Sequence, residues 1–243
     1  MAPSVQANQT TSWVEHETFW QRVRGIDEMG VIVALFVLVV LLAIFTPAFL
    51  QPSNLVNVAR QASYFGIMAV GMVFVLSMGD VDLSVGSIMA LVNVAGAVML
   101  RDGMPPWAMI PCALAIGALA GAVNGSLALS LRIPMIIVTL GTLSIYRGLA
   151  LVISQASPVS QFNKDNWFFD VLGGPILGLP ASVWLMLAAG LVGYIIYNRT
   201  AFGRRVQAIG SNLQAAKYSG IRVNRNRLIV MTISGFMAGL AGV

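Results

Sequence analysis

Charge is what this sequence has least of. Only 9% of its 243 residues are Asp, Glu, Lys or Arg, where a soluble domain carries about a quarter, and that scarcity excludes water as its expected solvent. There is one cysteine, Cys112, within an apolar run, and one histidine, His16, in a polar N-terminal tail. A single cysteine excludes a disulfide framework or a cysteine-based metal site within one chain, and a histidine without neighbouring ligands reads as a solvated side chain. Signatures of catalysis are missing as well. Neither Lys164 nor Lys217 follows a glycine, so there is no G-x-x-x-x-G-K-[ST] loop for ATP phosphates, and no G-x-G-x-x-G, H-E-x-x-H or G-x-S-x-G occurs. No metal or cofactor is implied, and an enzyme is not the expectation.

What is present is apolar length. Hydrophobic residues make up 58% of the chain, and the mean hydropathy is +0.83. Seven apolar runs follow one another, at 29–50, 62–78, 84–100, 107–131, 134–154, 181–197 and 228–243. Runs of roughly 17 to 25 apolar residues cross a bilayer as helices, whose backbone groups pair internally. The runs are continuous rather than alternating, so the expected fold class is all-α, a polytopic transmembrane helical bundle. Residues 1–28 read as a cytoplasmic tail without a signal-peptide cleavage site, and 29–243 as the membrane domain. The last run gives about 24 Å of helix and has no polar stop, so a longer protein with further helices is expected.

Lysine and arginine set the orientation. With the N-terminus inside, the cytoplasmic segments hold Arg22, Arg24, Arg132, Arg199, Arg204, Arg205, Lys217, Arg222, Arg225 and Arg227, against Arg60, Arg101 and Lys164 outside. Segment 198–227 is then a cytoplasmic loop with seven basic residues and no acidic one, and 155–180 an external loop rich in aromatics and prolines.

Several features inside the runs call for a reason. Gly117, Gly121 and Gly125 recur every fourth residue, and Gly235 and Gly239 repeat the device. Such stripes let helices approach closely in lipid, within one bundle or between two chains. Arg147 is the one charge well inside a run, either facing the bundle interior or snorkelling to the external headgroups. "GDVDLSVGS", residues 79–87, puts two aspartates between apolar runs. They could form an acid pair, but Asp82 or Ser84 is better placed to cap the third helix.

Three stretches, "GDVDLSVGSIMAL", "GSLALSLRIPMIIVTLGTLSIYRGLALVIS" and "NRTAFGRRVQAIGSNLQAAKYSGIRVNR", resemble the permease subunits of bacterial ATP-binding-cassette importers for monosaccharides, the ribose, xylose and arabinose type. The resemblance runs from about Asn54 to Val243. It implies a bundle of about ten spans in the full protein, seven of them here, in the bacterial inner membrane. It also implies a second permease subunit, cytoplasmic ATPase subunits and an external sugar-binding protein as partners, with membrane lipid around the chain and no nucleic acid.

Within the third stretch the resemblance assigns coupling to the ATPase to Gly203, Arg204, Gly210, Asn212, Gln214, Ala215, Ala216 and Gly220, with Gln214 standing where a glutamate is usual. Small residues there suit a short helix seated in a groove, ended by a left-handed Gly220. The alternative is a loop held to anionic lipid by its arginines. Sugars need hydrogen-bonding groups without strong fixed charge, and Asn124, Thr139, Thr142, Ser144 and Tyr146 offer them. Each could equally bond a neighbouring helix or its own backbone. Asp82 and Ser84 are expected to order the inner gate, with Arg147 beside the pathway or outside it. Rival expectations are a permease for a polyol, an autoinducer-like sugar or a branched-chain amino acid, a secondary transporter, and an intramembrane aspartyl enzyme.

Overall fold

The computed structural model describes residues 29–160, 169, 171 and 173–243. The tail 1–28 with His16, and the part of segment 155–180 that includes Lys164, lie outside them. Helices account for nearly all of the described structure: α1 (Met29–Phe45), α2 (Pro52–Ser77), α3 (Val85–Arg101), α4 (Pro106–Leu131), α5 (Met135–Ile153), α6 (Ala181–Arg199), α7 (Ala201–Ser211), α8 (Leu213–Tyr218) and α9 (Val223–Gly242). Each of the seven apolar runs is one of the long helices. Among the described residues α2, α4, α5 and α6 are long and apolar enough to cross a membrane, while α1 and α3 are apolar with 17 residues each. The protein is a polytopic helical membrane protein.

The runs understate two helices. α2 begins at Pro52 rather than 62, so its 26 residues span about 39 Å, and Arg60 is helical instead of lying in a loop. α9 begins at Val223 rather than 228. In both, polar first turns ("PSNLVNVARQ", "VNRNR") look like loop but keep the helical backbone. The segment 198–227 is likewise not a loop: α7 and α8 fill most of it. In 155–180, Pro175–Ile176 (β1) and Leu179–Pro180 (β2) pair antiparallel around Leu177 and Gly178, both at positive φ, the two-residue turn that suits a tight hairpin.

The chain divides into two compact units, Met1–Leu55 and Val56–Val243. In the first, α1 has no buried residue, as befits a helix hydrophobic all round and solvated by lipid. Asn54 Nδ2 donates to Phe49 O at 2.8 Å across the link into α2.

In the second unit α4 and α9 form the closest helix pair. A Cβ on Gly117 would lie 2.5 Å from Gly235 O and 2.8 Å from Gly239 Cα; one on Gly121 would collide with Met231 O. Reciprocally, a Cβ on Gly235 would strike Gly117 O. The two glycine stripes therefore meet each other inside one chain, backbone on backbone, and Gly125 extends the contact to Leu228 and Met231.

The alternating ends of the helices are tied together. At one end Arg60 Nη2 reaches Gly173 O at 3.5 Å, joining α2 to the segment 155–180. At the other, Ser77 Oγ and Tyr197 OH are 2.9 Å apart, and Phe74 packs edge-on to Tyr197 and stacks on Phe202. A Cβ on Gly210 would run into Ser77 O. The end of α2, the end of α6, and α7 thus share one side of the unit.

Candidate functional site

The link 78–84 leaves α2 through Gly79 at positive φ and enters α3, and its two aspartates diverge. Asp82 is 1% exposed. Its Oδ1 accepts from Ser84 N at 2.9 Å and Ser84 Oγ at 2.6 Å, and its Oδ2 accepts from Ser234 Oγ of α9 at 3.0 Å. Ser84 Oγ in turn accepts from Asn124 Nδ2 of α4 at 2.7 Å. Asn124 Oδ1 accepts from Tyr146 OH of α5 at 3.0 Å, and the same hydroxyl lies 3.0 Å from Ala120 O. Every member is buried. Each donor points toward Asp82, so the bonds form one directed chain joining α5, α4, the 78–84 link and α9. Such chains polarise cooperatively in a low-dielectric interior.

This arrangement differs from simple helix capping. Ser84 does occupy the position before α3, but its side chain makes no cap bond. Its hydroxyl donates to the Asp82 carboxylate and accepts from Asn124 Nδ2, so it does not accept from the free N–H groups that open α3. Asp82 instead closes an Asx turn onto Ser84 N, two residues on.

Asp80 faces the other way, with Oδ2 2.9 Å from Arg227 Nε of α9. The Nε–H has no linear hydrogen-bond partner, so charge rather than a directed bond joins the pair. Burial pushes the Asp80 carboxyl above the usual carboxylate range, and the Arg227 guanidinium pulls it partly back. The pair lines a cleft of about 360 Å³ with Gly79, Val81, Pro134 and Ile136. With one aspartate hydrogen-bonded to two serines and the other ion-paired with an arginine, the two do not form an acid pair.

Thr139 and Thr142 are buried. Thr139 Oγ1 donates to Ile136 O at 3.2 Å and reaches Val81 O at 3.5 Å, while Thr142 Oγ1 bonds Thr139 O on its own helix. Ser144 and Arg147 lie on the exposed face of α5, apart from the chain of bonds. Ser234 had no place in the sequence expectations. The one signal for it was a small hydroxyl beside Gly235 in a run whose other hydroxyl is Thr232, and nothing in the sequence tied it to an aspartate 152 residues away.

The second cluster is the α7–α8 corner. Thr200 Oγ1 accepts from Gly203 N at 3.2 Å, and Asn212 Oδ1 accepts from Gln214 N at 3.1 Å and Ala215 N at 3.0 Å, capping the two short helices. α8 ends in a Schellman turn: Ile221 N donates to Ala216 O at 3.1 Å and Gly220 N to Lys217 O at 3.0 Å, with Gly220 at φ 77°. Ala216 is buried with Val206, Ile209 and Val223, and Gly203 and Gly210 pack against Tyr197 and Ser77. Their small size serves packing within the chain. Arg204, Gln214, Ala215 and Lys217 stay exposed, and Tyr218, which the order of small residues did not single out, is 90% exposed.

The family model described as "Branched-chain amino acid transport system / permease component" matches residues 54–243. The ribose import permease protein of Haemophilus influenzae is 34% identical over 222 residues, which are 90% of this chain and 69% of that one. Its counterpart in Bacillus subtilis is 37% identical over 217 residues, 89% and 67% of the two chains. The L-arabinose transport system permease protein of Escherichia coli is also 37% identical over 217 residues, covering 89% of this chain and 66% of the other. No solved structure matches the chain. With a polytopic bundle, an exposed capped helix at one end and a family match through all of the second unit, the chain belongs to the family of permease components of branched-chain amino acid transport systems.

Proposed function

We propose that this chain is the membrane-spanning permease subunit of an ATP-binding-cassette importer that moves a monosaccharide, ribose or arabinose in type, into a bacterial cell. The similarity to ribose import permeases over about nine tenths of the chain carries the reading. In it the N-terminus is cytoplasmic, the membrane is the inner one, and the end bearing α7 and α8 faces the cytoplasm. A separate ATPase subunit docks on α8, an external binding protein delivers the sugar, and a second permease subunit completes the pathway.

The two clusters fit these roles. α8 presents Ala215, Lys217 and Tyr218 outward on a helix capped at both ends, a preformed shape for a groove. The Asp82 chain of hydrogen bonds joins the elements at the inner end of the pathway and holds them in one arrangement, the part a gate requires. In this reading ATP hydrolysis belongs to the partner subunit.

Reconstitution in vesicles with the cognate ATPase and binding protein tests this. ATP-dependent uptake of ribose or arabinose is the expected result; uptake driven by an ion gradient with no ATPase present would overturn it.

A further inference from the structure

Between α7 and the start of α9 lies a cleft of about 440 Å³ whose walls have two characters. Arg205, Arg222 and Arg225 line it together with the apolar Phe202, Ile221 and Ile229, and Ser219, Gly220 and Asn226 complete the lining. All three arginines are exposed. Among the described residues none of them has an acidic partner: the ion pairs there are Arg101 with Asp102 and Arg227 with Asp80. The segment 198–227 carries seven basic residues and no acidic one, and of these Arg227 is paired with Asp80 while the three arginines of the cleft are in none of these ion pairs.

We infer that this cleft binds the phosphate headgroup of an anionic phospholipid. Guanidinium groups match phosphate oxygens in paired geometry, and basic pockets beside membrane helices on the cytoplasmic side suit such headgroups. The apolar wall decides between a lipid and a soluble anion. Ile229 sits one residue into the apolar run of α9, and Phe202 lies at the start of α7. A ligand in the cleft therefore meets charge and hydrocarbon together, as a headgroup with its attached chains does and a free phosphate does not. An acidic segment of a protein partner would leave the apolar wall without a counterpart. That the lipid is drawn from the cytoplasmic leaflet rests on the orientation proposed above; the site itself does not.

The test uses the whole chain in nanodiscs of equal parts phosphatidylglycerol and phosphatidylcholine, with retained lipid identified by native mass spectrometry. Phosphatidylglycerol should be retained in preference, and Arg205→Gln, Arg222→Gln and Arg225→Gln should each lower that preference by roughly fivefold. Arg101→Gln, at the other end, should leave it unchanged. Equal retention of the two lipids by the unaltered protein would overturn the inference without recourse to variants. So would an undiminished preference in the triple variant, displacement of the lipid by millimolar inorganic phosphate, which would assign the cleft to a soluble anion, or release of the lipid when the ATPase subunit binds, which would assign it to a protein partner. Lipid retention needs neither sugar nor ATP, so failure here and failure of the transport reading are separate results.

Discussion

Asp82 is bonded to groups from both sides of the chain's sequence, and its surroundings give unequal weights to the residues around it. Ser234→Ala removes one donor to Oδ2 and should cost about 1 kcal/mol. Asn124→Leu removes a donor and an acceptor at once, depriving the Ser84 hydroxyl of its incoming donor and leaving the Tyr146 hydroxyl with Ala120 O alone, and it cuts the link between α4 and α5 in a dry interior. It should cost visibly more, by unfolding in mixed micelles; an equal or smaller loss would mean that the chain of bonds is not cooperative. Asp80 makes a prediction about pH. Burial favours its protonated form, so its contribution to stability is full below the ordinary carboxylate range and is lost as pH rises through its raised pKa. The stability of the unaltered protein relative to Asp80→Asn should therefore fall as pH rises through that window. A difference that is flat, or that grows with pH, would contradict it.

At the scale of elements, the α4–α9 contact and α8 are built on different uses of small residues. Gly121→Val would drive a branched side chain into Met231 O and should destabilise the bundle by about 3 kcal/mol or more. Gly141→Val, where an added Cβ meets nothing within 4 Å, should be tolerated. Comparable thermal midpoints for the two variants would show that the stripe is not a packing surface. For α8, Tyr218→Ala removes an exposed ring without touching the interior, and Gly220→Val strains the left-handed turn that ends the helix. Both should insert normally yet lose ATPase subunit in pull-down assays. Undiminished association would assign this corner to the lipid alone.

Across the whole molecule the sequence made the long helices legible, because uninterrupted apolar runs leave a chain in lipid no other backbone solution. What it hid was set by polarity. The first turns of α2 and α9 carry Asn54, Asn57 and Arg60, and Asn224, Arg225 and Arg227, so hydropathy placed their starts too late. α7 was hidden in a loop for the same reason, since a short amphipathic helix outside the hydrocarbon has no long apolar run, whereas the short helix expected before Gly220 is α8. At the site, the "GDVDLSVGS" signal pointed to the correct link but not to its chemistry. Capping is a local rule, whereas the Asp82 bonds to Ser234 and, through Ser84, to Asn124 are made by distant helices that only the packing brings together. The glycine period showed that a stripe existed and left open whether its counterpart was in the same chain.

That counterpart matters for motion. Where side chains separate two helices, a change of rotamer can let one slide on the other; between Gly117 or Gly121 and Gly235 there is no side chain to rearrange. α4 and α9 thus behave as one stiff beam, and α9 follows α8 directly through the Gly220 turn. A displacement imposed on that short exposed helix is delivered to two long ones at once. Contacts that have side chains to yield, such as the one between Tyr146 and Asn124, are where a rearrangement of the bundle is expected to fall instead.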